Sequence, residues 1–261
     1  MLRLLTETDR PAFDAFAREY PLDTVRIAAL LAAYGAASPF FETWMSEDRL
    51  CAVARLDGAG FLAAAPGADP DELTAFFRFG PGFASLTGPV PVVEAVAAAL
   101  GVPQGCLRRF ERLRFERFPP SLLAGQLVCG ASPLRKAYAV LAQAGEADGI
   151  AFDAWYADMS HRLRHGCARA YTAGPGRPVS ACLVAAESAA AGLIAGVATL
   201  PDFRGRGYAS SLVLCAEEDL RAAGKCAVLE CAQSLLPFYQ KLGFATAGQT
   251  AVLSFPVPSR R

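Results

Sequence analysis

Residues 198–213 read ATLPDFRGRGYASSLV. An apolar run ends at Thr199, Pro201 interrupts it, and apolar positions return beyond Tyr208 at helical spacing, so a strand gives way to a helix across a very short span. Arg204, Gly205, Arg206 and Gly207 occupy the seam. Glycine lets backbone N–H groups come close to a ligand because no Cβ stands in the way. A helix start adds unpaired N–H groups and the positive end of the macrodipole, and the two together favour a phosphate. The arginines contribute charge and forked donors. A pyrophosphate suits this chemistry. The stretch is not a Walker loop, since no Gly-Lys-Ser/Thr is present, and Ser210 stands where the dinucleotide fingerprint needs its last glycine. It is also embedded between apolar periodic segments, unlike the low-complexity RGG tails that bind nucleic acid.

Working outward, "AAGLIAGVATLP" reads as the strand that leads in. "GYASSLVLCAEEDLRAAG" reads as the helix that leads out, with Leu212, Val213, Cys215, Ala216 and Leu220 near a 3.6-residue period and Gly224 at its end. "CAVLECA" then reads as a buried strand, "SLLPFYQKLG" as a short helix and "ATAGQTAVLSF" as a last strand. Upstream, "RKAYAVLAQ" is a strand candidate, "FDAWYADMSHRLRHG" a helix, and "CARAYTA" and "VSACLVAAES" strands. The first half gives a similar order. Leu2 to Leu5 form a short strand, followed by helices in "TETDRPAFDAFAREY" and "LDTVRIAALLAAYG". Strands follow in "FFETWMSED", "LCAVARLD" and "FLAAAP", and helices in "DPDELTAFFRFG", capped by Asp69 or Asp71, and "PVVEAVAAALG". The chain thus reads as two α+β halves with a seam in "ERFPPSLLAGQLVCG", without a residue-level repeat.

A length of 261 residues suits one large or two modest domains, and 53% hydrophobic against 19% charged residues marks a globular rather than a disordered chain. Lys+Arg and Asp+Glu are equal at 25 each, which removes the bulk electrostatic case for nucleic acid or an anionic membrane as partner. The eight cysteines are scattered without a CxxC pair, as expected of buried, reduced thiols in a cytoplasmic protein. No stretch supplies the roughly 18 uninterrupted apolar residues of a membrane span, so the expectation is a soluble, intracellular protein.

The run "VATLPDFRGRGYASSLV" resembles the acyl-CoA-binding motif of the GNAT acetyltransferases, whose pattern Arg/Gln-x-x-Gly-x-Gly/Ala falls on Arg204, Gly205, Arg206, Gly207, Tyr208 and Ala209. "FYQKLGF", Phe238 to Phe244, resembles the family's second hallmark at the right distance downstream. The likeness covers roughly residues 134 to 254. It implies two GNAT-like α/β domains, each a mixed, mostly antiparallel sheet flanked by helices. Residues 1–122 form a degenerate N-terminal domain and 130–261 an acyl-CoA-binding one. It also implies that the turn's amides hold the CoA pyrophosphate and that Val197, Ala198 and Thr199 on the preceding strand lend main-chain groups to the pantetheine and acyl carbonyl. Ala232 stands where relatives often carry an Asn, with Gln233 one position on.

Amine attack on a thioester needs a neutral nucleophile, a polarised carbonyl and a proton for the leaving thiolate. The resemblance assigns that proton to Tyr239, whose phenol, of pKa about 10, is protonated at neutral pH. The strand "AAGLIAGVATLP" carries no carboxylate, which leaves Glu230 as the favoured base and Glu187 as the other local candidate. His161 and His165 stand four apart in "HRLRH" among arginines, a solvated helix face rather than a metal pair, and no metal is assigned. In the first half the corresponding turn reads "GADPDEL", where Asp69, Asp71 and Glu72 would repel a pyrophosphate. The resulting expectation is an acetyl-CoA-dependent N-acetyltransferase that passes acetyl to a small or amino-acid-like amine in a ternary complex, with no nucleic acid or membrane partner and with room for a homodimer. The runner-up is a CoA-binding regulatory module that has lost its chemistry, and an ADP-binding protein using the same loop stands third.

Overall fold

The computed structural model describes residues 1–80, 82–117, 130–131, 134–147 and 149–256. The expected seam in "ERFPPSLLAGQLVCG" lies mostly outside them. The chain divides into two units, Met1–Glu111 with Gly248–Arg261, and Arg112–Ala247.

The first unit runs β1 (Leu2–Leu4), α1 (Arg10–Glu19), α2 (Pro21–Tyr34), β2 (Phe41–Ser46), β3 (Cys51–Leu56), β4 (Ala59–Ala64), α3 (Pro70–Phe79), β5 (Ser85–Pro89) and α4 (Val90–Leu100). Two strands pass from one unit into the other, β6 (Leu107–Phe115) and β12 (Phe244–Ser254). The first sheet has the order β1-β2-β3-β4-β5-β12, with β4 and β5 parallel and β12 joined antiparallel to β5 through Thr250–Ser254. Its pleat sends alternate residues to opposite faces. Phe41, Met45, Ala52, Ala54 and Ala63 meet Phe13, Phe16, Ile27 and Leu30 of α1 and α2 on one side. Trp44, Val53 and Leu62 meet Leu73 of α3 and Val93 and Val96 of α4 on the other.

The second unit repeats that order of elements: β7 (Gly130–Ala131), α5 (Leu134–Gln143), α6 (Phe152–Arg164), β8 (Arg169–Ala173), β9 (Ser180–Glu187), β10 (Ala191–Thr199), α7 (Tyr208–Ala222), β11 (Cys226–Cys231) and α8 (Leu236–Lys241). Its strands lie in the order β7-β8-β9-β10-β11-β6, with β10 and β11 parallel. Ala170, Ala181 and Leu183 pack under α5 and α6, whereas Tyr171, Cys182 and Val184 pack under α7 and α8. The expected pair of α+β halves, each a mixed sheet flanked by helices, is the fold observed.

Three sequence expectations change. "RKAYAVLAQ" lies in the helix α5, because Leu134, Ala137 and Leu141 form one buried stripe at helical spacing. Strands β5 and β6 escaped the reading, since β5 carries Gly88 and Pro89 and β6 carries four arginines and a glutamate in "LRRFERLRF". The division also differs from 1–122 and 130–261. Residues 112–117 belong with the second unit and 248–256 with the first, because β12 finds its partner in β5.

Candidate functional site

The site begins where β10 changes neighbours. Its parallel ladder with β11 pairs Ala191–Ile194 with Cys226–Leu229, whereas its antiparallel ladder with β9 continues to Thr199. Between Ala195 and Ala198 the strand takes one more residue than β9 does, which is a bulge. Gly196 carries it at φ +56°, and a Cβ there would come within 3.0 Å of Leu183. The bulge takes in Val197; beyond it Ala198 and Thr199 follow β9, and the ladder with β11 has ended. The Ser180 hydroxyl holds this end, donating to the Ala198 carbonyl at 2.9 Å and lying 2.8 Å from the Thr199 hydroxyl.

After Thr199 a short 3-10 turn, Pro201–Phe203, leads to the glycines. Gly205 and Gly207 have φ of +74° and +83°, and a Cβ at either would meet nothing of the protein within 4 Å. These glycines therefore answer a backbone demand and leave the space before the loop clear. Helix α7 starts at Tyr208 with no side-chain cap, so the first-turn amides of Tyr208, Ala209 and Ser210 have no acceptor within the helix. The guanidiniums brace the turn. Arg204 Nε donates to the Thr199 carbonyl at 3.1 Å, and Arg206 Nη2 donates to that of Asp202 at 3.0 Å while lying over the Phe203 ring at 5.2 Å. Both arginines are exposed and keep further N–H donors facing water. Open amides, a helix N-terminus and two cations can together hold a diphosphate.

Tyr239 of α8 is 7% exposed, packed edge-on to Phe238 and Phe244 at 4.9 and 6.1 Å. Burial, with additions from the Cys182 and Cys231 thiols and from Glu146, lifts its phenol well above the ordinary range. It therefore stays protonated at neutral pH. Glu230 near the end of β11 lies 3.6 Å from Arg112 Nε, both side chains being nearly buried. The guanidinium engages that carboxylate within the protein, which counts against it as a base. Glu187 sits at the opposite end of the sheet, paired with Gly192 at the start of β10. Burial would raise its pKa, but two hydrogen bonds from Arg169 and one from Lys225, each at 2.7 Å, outweigh this and hold it low. It is a structural anchor. Ala232 precedes the short turn Gln233–Leu235, and Gln233 is exposed there.

Glu146 escaped the sequence reading. Its N–H closes α5 on the Leu141 carbonyl at 2.9 Å, and its charge adds to the lift of the Tyr239 phenol. Reading "RKAYAVLAQ" as a helix closed by Gly145 would have pointed to it. His161 and His165 stack 4.3 Å apart at the end of α6. Among the described residues no group of three His, Cys, Asp or Glu could hold a metal ion, and no helix is long and apolar enough to cross a membrane. The seven described cysteines are thiols.

In the first unit β4 and β5 form the parallel pair that corresponds in order to β10 and β11. The turn that follows is filled from within: the Asp69 carboxylate accepts the Asp71 N–H at 2.9 Å, and Asp71 and Glu72 occupy the first turn of α3. The amide that α7 leaves open is here satisfied by the chain itself.

A strand that parts from its parallel neighbour and runs through a glycine turn into an uncapped helix is the arrangement these residues build. Residues 164–246 match the model of the acetyltransferase (GNAT) domain. No curated protein matches the chain. Among solved structures it is similar to a GCN5-related N-acetyltransferase-like protein of Streptococcus suis, at 16% identity and TM-score 0.54 over 94% of this chain and 100% of that one. It is similar to a tandem GNAT protein from the clavulanic acid biosynthesis pathway, at 17% and 0.59 over 98% and 99%. A Drosophila protein matches at 11% and 0.67 over 98% of each chain. These matches extend the fold likeness over both units.

Proposed function

We propose that this chain is an acetyl-CoA-dependent N-acetyltransferase acting on the amine of a small or amino-acid-like acceptor by direct transfer in a ternary complex. The parting of β10 from β11 onto the Gly205–Gly207 turn carries the reading. The amides of residues 205–209 would hold the diphosphate, with Arg204 and Arg206 keeping the turn in shape. Val197, Ala198 and Thr199 would offer main-chain groups to the pantetheine arm and the acyl carbonyl. When bound, acetyl-CoA supplies the activated acyl group. Tyr239 would donate its hydroxyl proton towards the departing sulfur. The base is assigned to Glu230, against which Arg112 counts, and Glu146 is the competing carboxylate at the same end of the sheet. Asp69 supports a first unit that does not bind the nucleotide.

Calorimetric titration with acetyl-CoA, followed by thiol release with a panel of amines, tests the reading. Binding together with amine-dependent release is expected. Absence of affinity in the folded protein removes the proposal, and binding without release with any amine favours the regulatory module, which the lack of a carboxylate on β10 supports. Glu230→Gln and Glu146→Gln separate the bases: the true one loses about 10²-fold or more in turnover at neutral pH together with the acidic limb of its pH profile.

A further inference from the structure

Ser180 is fully buried at the start of β9, and its hydroxyl makes two contacts at once, to the Ala198 carbonyl at 2.9 Å and to the Thr199 hydroxyl at 2.8 Å. A hydroxyl has one proton to give. A carbonyl can only accept, so the Ser180 proton goes to Ala198, and in the second contact Thr199 is the donor. The half-buried Thr199 oxygen is then left with lone pairs and no proton to offer. Such a group recognises an N–H and repels another acceptor.

The pleat sets where this oxygen lies. Along β9, Ala181 and Leu183 face α5 and α6 while Cys182 and Val184 face α7 and α8, so Ser180 shares the face of Cys182. Thr199 is paired with Ser180 across the ladder and lies on that same face. Tyr239 packs there too, near enough to the Cys182 thiol to be shifted by it. In the other direction Arg204 Nε donates to the Thr199 carbonyl at 3.1 Å and ties the residue to the glycine turn. A ligand that reaches from the turn to Tyr239 therefore passes Thr199. The Ala198 and Thr199 carbonyls already accept from Ser180 and Arg204, whereas among the described residues nothing donates to the Thr199 hydroxyl oxygen.

We propose that Thr199 Oγ1 accepts a hydrogen bond from an amide N–H of the pantetheine arm, and that Ser180 is the positioning residue that makes the hydroxyl an acceptor. The proposal rests on the acyl-CoA reading above. The arm carries two secondary amides, and an ester in place of either puts an oxygen where the N–H stood.

The test is calorimetric titration of the full chain with acetyl-CoA and with two analogues, each having one pantetheine amide replaced by an ester. The parent should bind acetyl-CoA, and should bind one of the two esters about tenfold more weakly. Thr199→Val keeps the shape and removes the hydroxyl; it should lose about tenfold in acetyl-CoA affinity and no longer distinguish that ester. Thr199→Ser should stay within about twofold of the parent. Ser180→Ala frees the Thr199 proton to turn towards the ligand, so the preference for amide over ester should narrow to about threefold or less. A purely structural loss would instead weaken all three ligands by the same factor. Circular dichroism and thermal melting check that the variants fold, and discrimination by the parent needs no variant. A parent indifferent to both esters, or a Thr199→Val variant that still discriminates, overturns the proposal and leaves the acyl-CoA reading standing. Equal losses for all three ligands in Ser180→Ala overturn the positioning role. No affinity of the folded parent for acetyl-CoA overturns both the proposal and the reading beneath it.

Discussion

Tyr239 and Glu217 are both buried titratable groups, and burial acts on them in the same chemical direction with different consequences. For Tyr239, desolvation lifts the phenol and keeps it protonated at neutral pH. Tyr239→Phe is expected to lower turnover about 10²-fold while acetyl-CoA affinity measured by calorimetry stays within twofold. For Glu217, burial raises the carboxyl from 4.5 to about 7. The folded state then holds a proton that the unfolded chain releases above pH 4.5, so stability is greatest at low pH and falls as pH climbs, the loss being complete above pH 7. The size of that loss is about 3 kcal/mol. Glu217→Gln removes it, so the variant should gain on the parent in denaturant melts at pH 8 and show little difference at pH 4.5.

At the scale of the element, the strand–turn–helix from β10 to α7 works because its backbone is bent at two places where a side chain is unwelcome. Gly207 holds φ +83° at the residue before the helix. Gly207→Ala places an L side chain in the left-handed region at about 1–2 kcal/mol and puts a methyl into the space before the amides. The acetyl-CoA KM should rise tenfold or more, with kcat changed much less, in steady-state assays. A fall in kcat with KM unmoved would mean that the turn does not contact the nucleotide. Helix α5 teaches a complementary lesson. Its apolar residues are close enough together to look like a strand, and only the buried stripe of Leu134, Ala137 and Leu141 against Ala181, Leu183 and Ala198 settles its period.

Across the whole molecule, each half of the sequence supplies a strand that continues from one unit into the other. Ala251 and Leu253 of β12 are fully buried in the first unit's core beside Trp44, Leu62 and Leu86. Leu253→Ala should therefore destabilise the first unit by about 2–5 kcal/mol. The chain has two tryptophans, Trp44 in the first unit and Trp155 in the second, so each reports on its own unit. Trp44 emission, read in a Trp155→Phe background, should lose its native signal at lower denaturant in the variant, whereas Trp155 emission in a Trp44→Phe background should change far less. An equal shift of both would show that the units unfold as one.

The sequence by itself determined the glycine turn, the helix behind it, the place of Tyr239 and the alternation of strands and helices in both halves. Those features rest on a few adjacent residues: positive φ at glycine, unpaired first-turn amides, a hydrophobic period. Tertiary structure alone decided that β12 completes the first sheet, that β6 is a strand despite its arginines, that Arg112 faces Glu230 and that Glu146 approaches Tyr239. A strand's partner and a carboxylate's neighbour are set by residues far apart in the chain, and no local pattern encodes which surface they will meet.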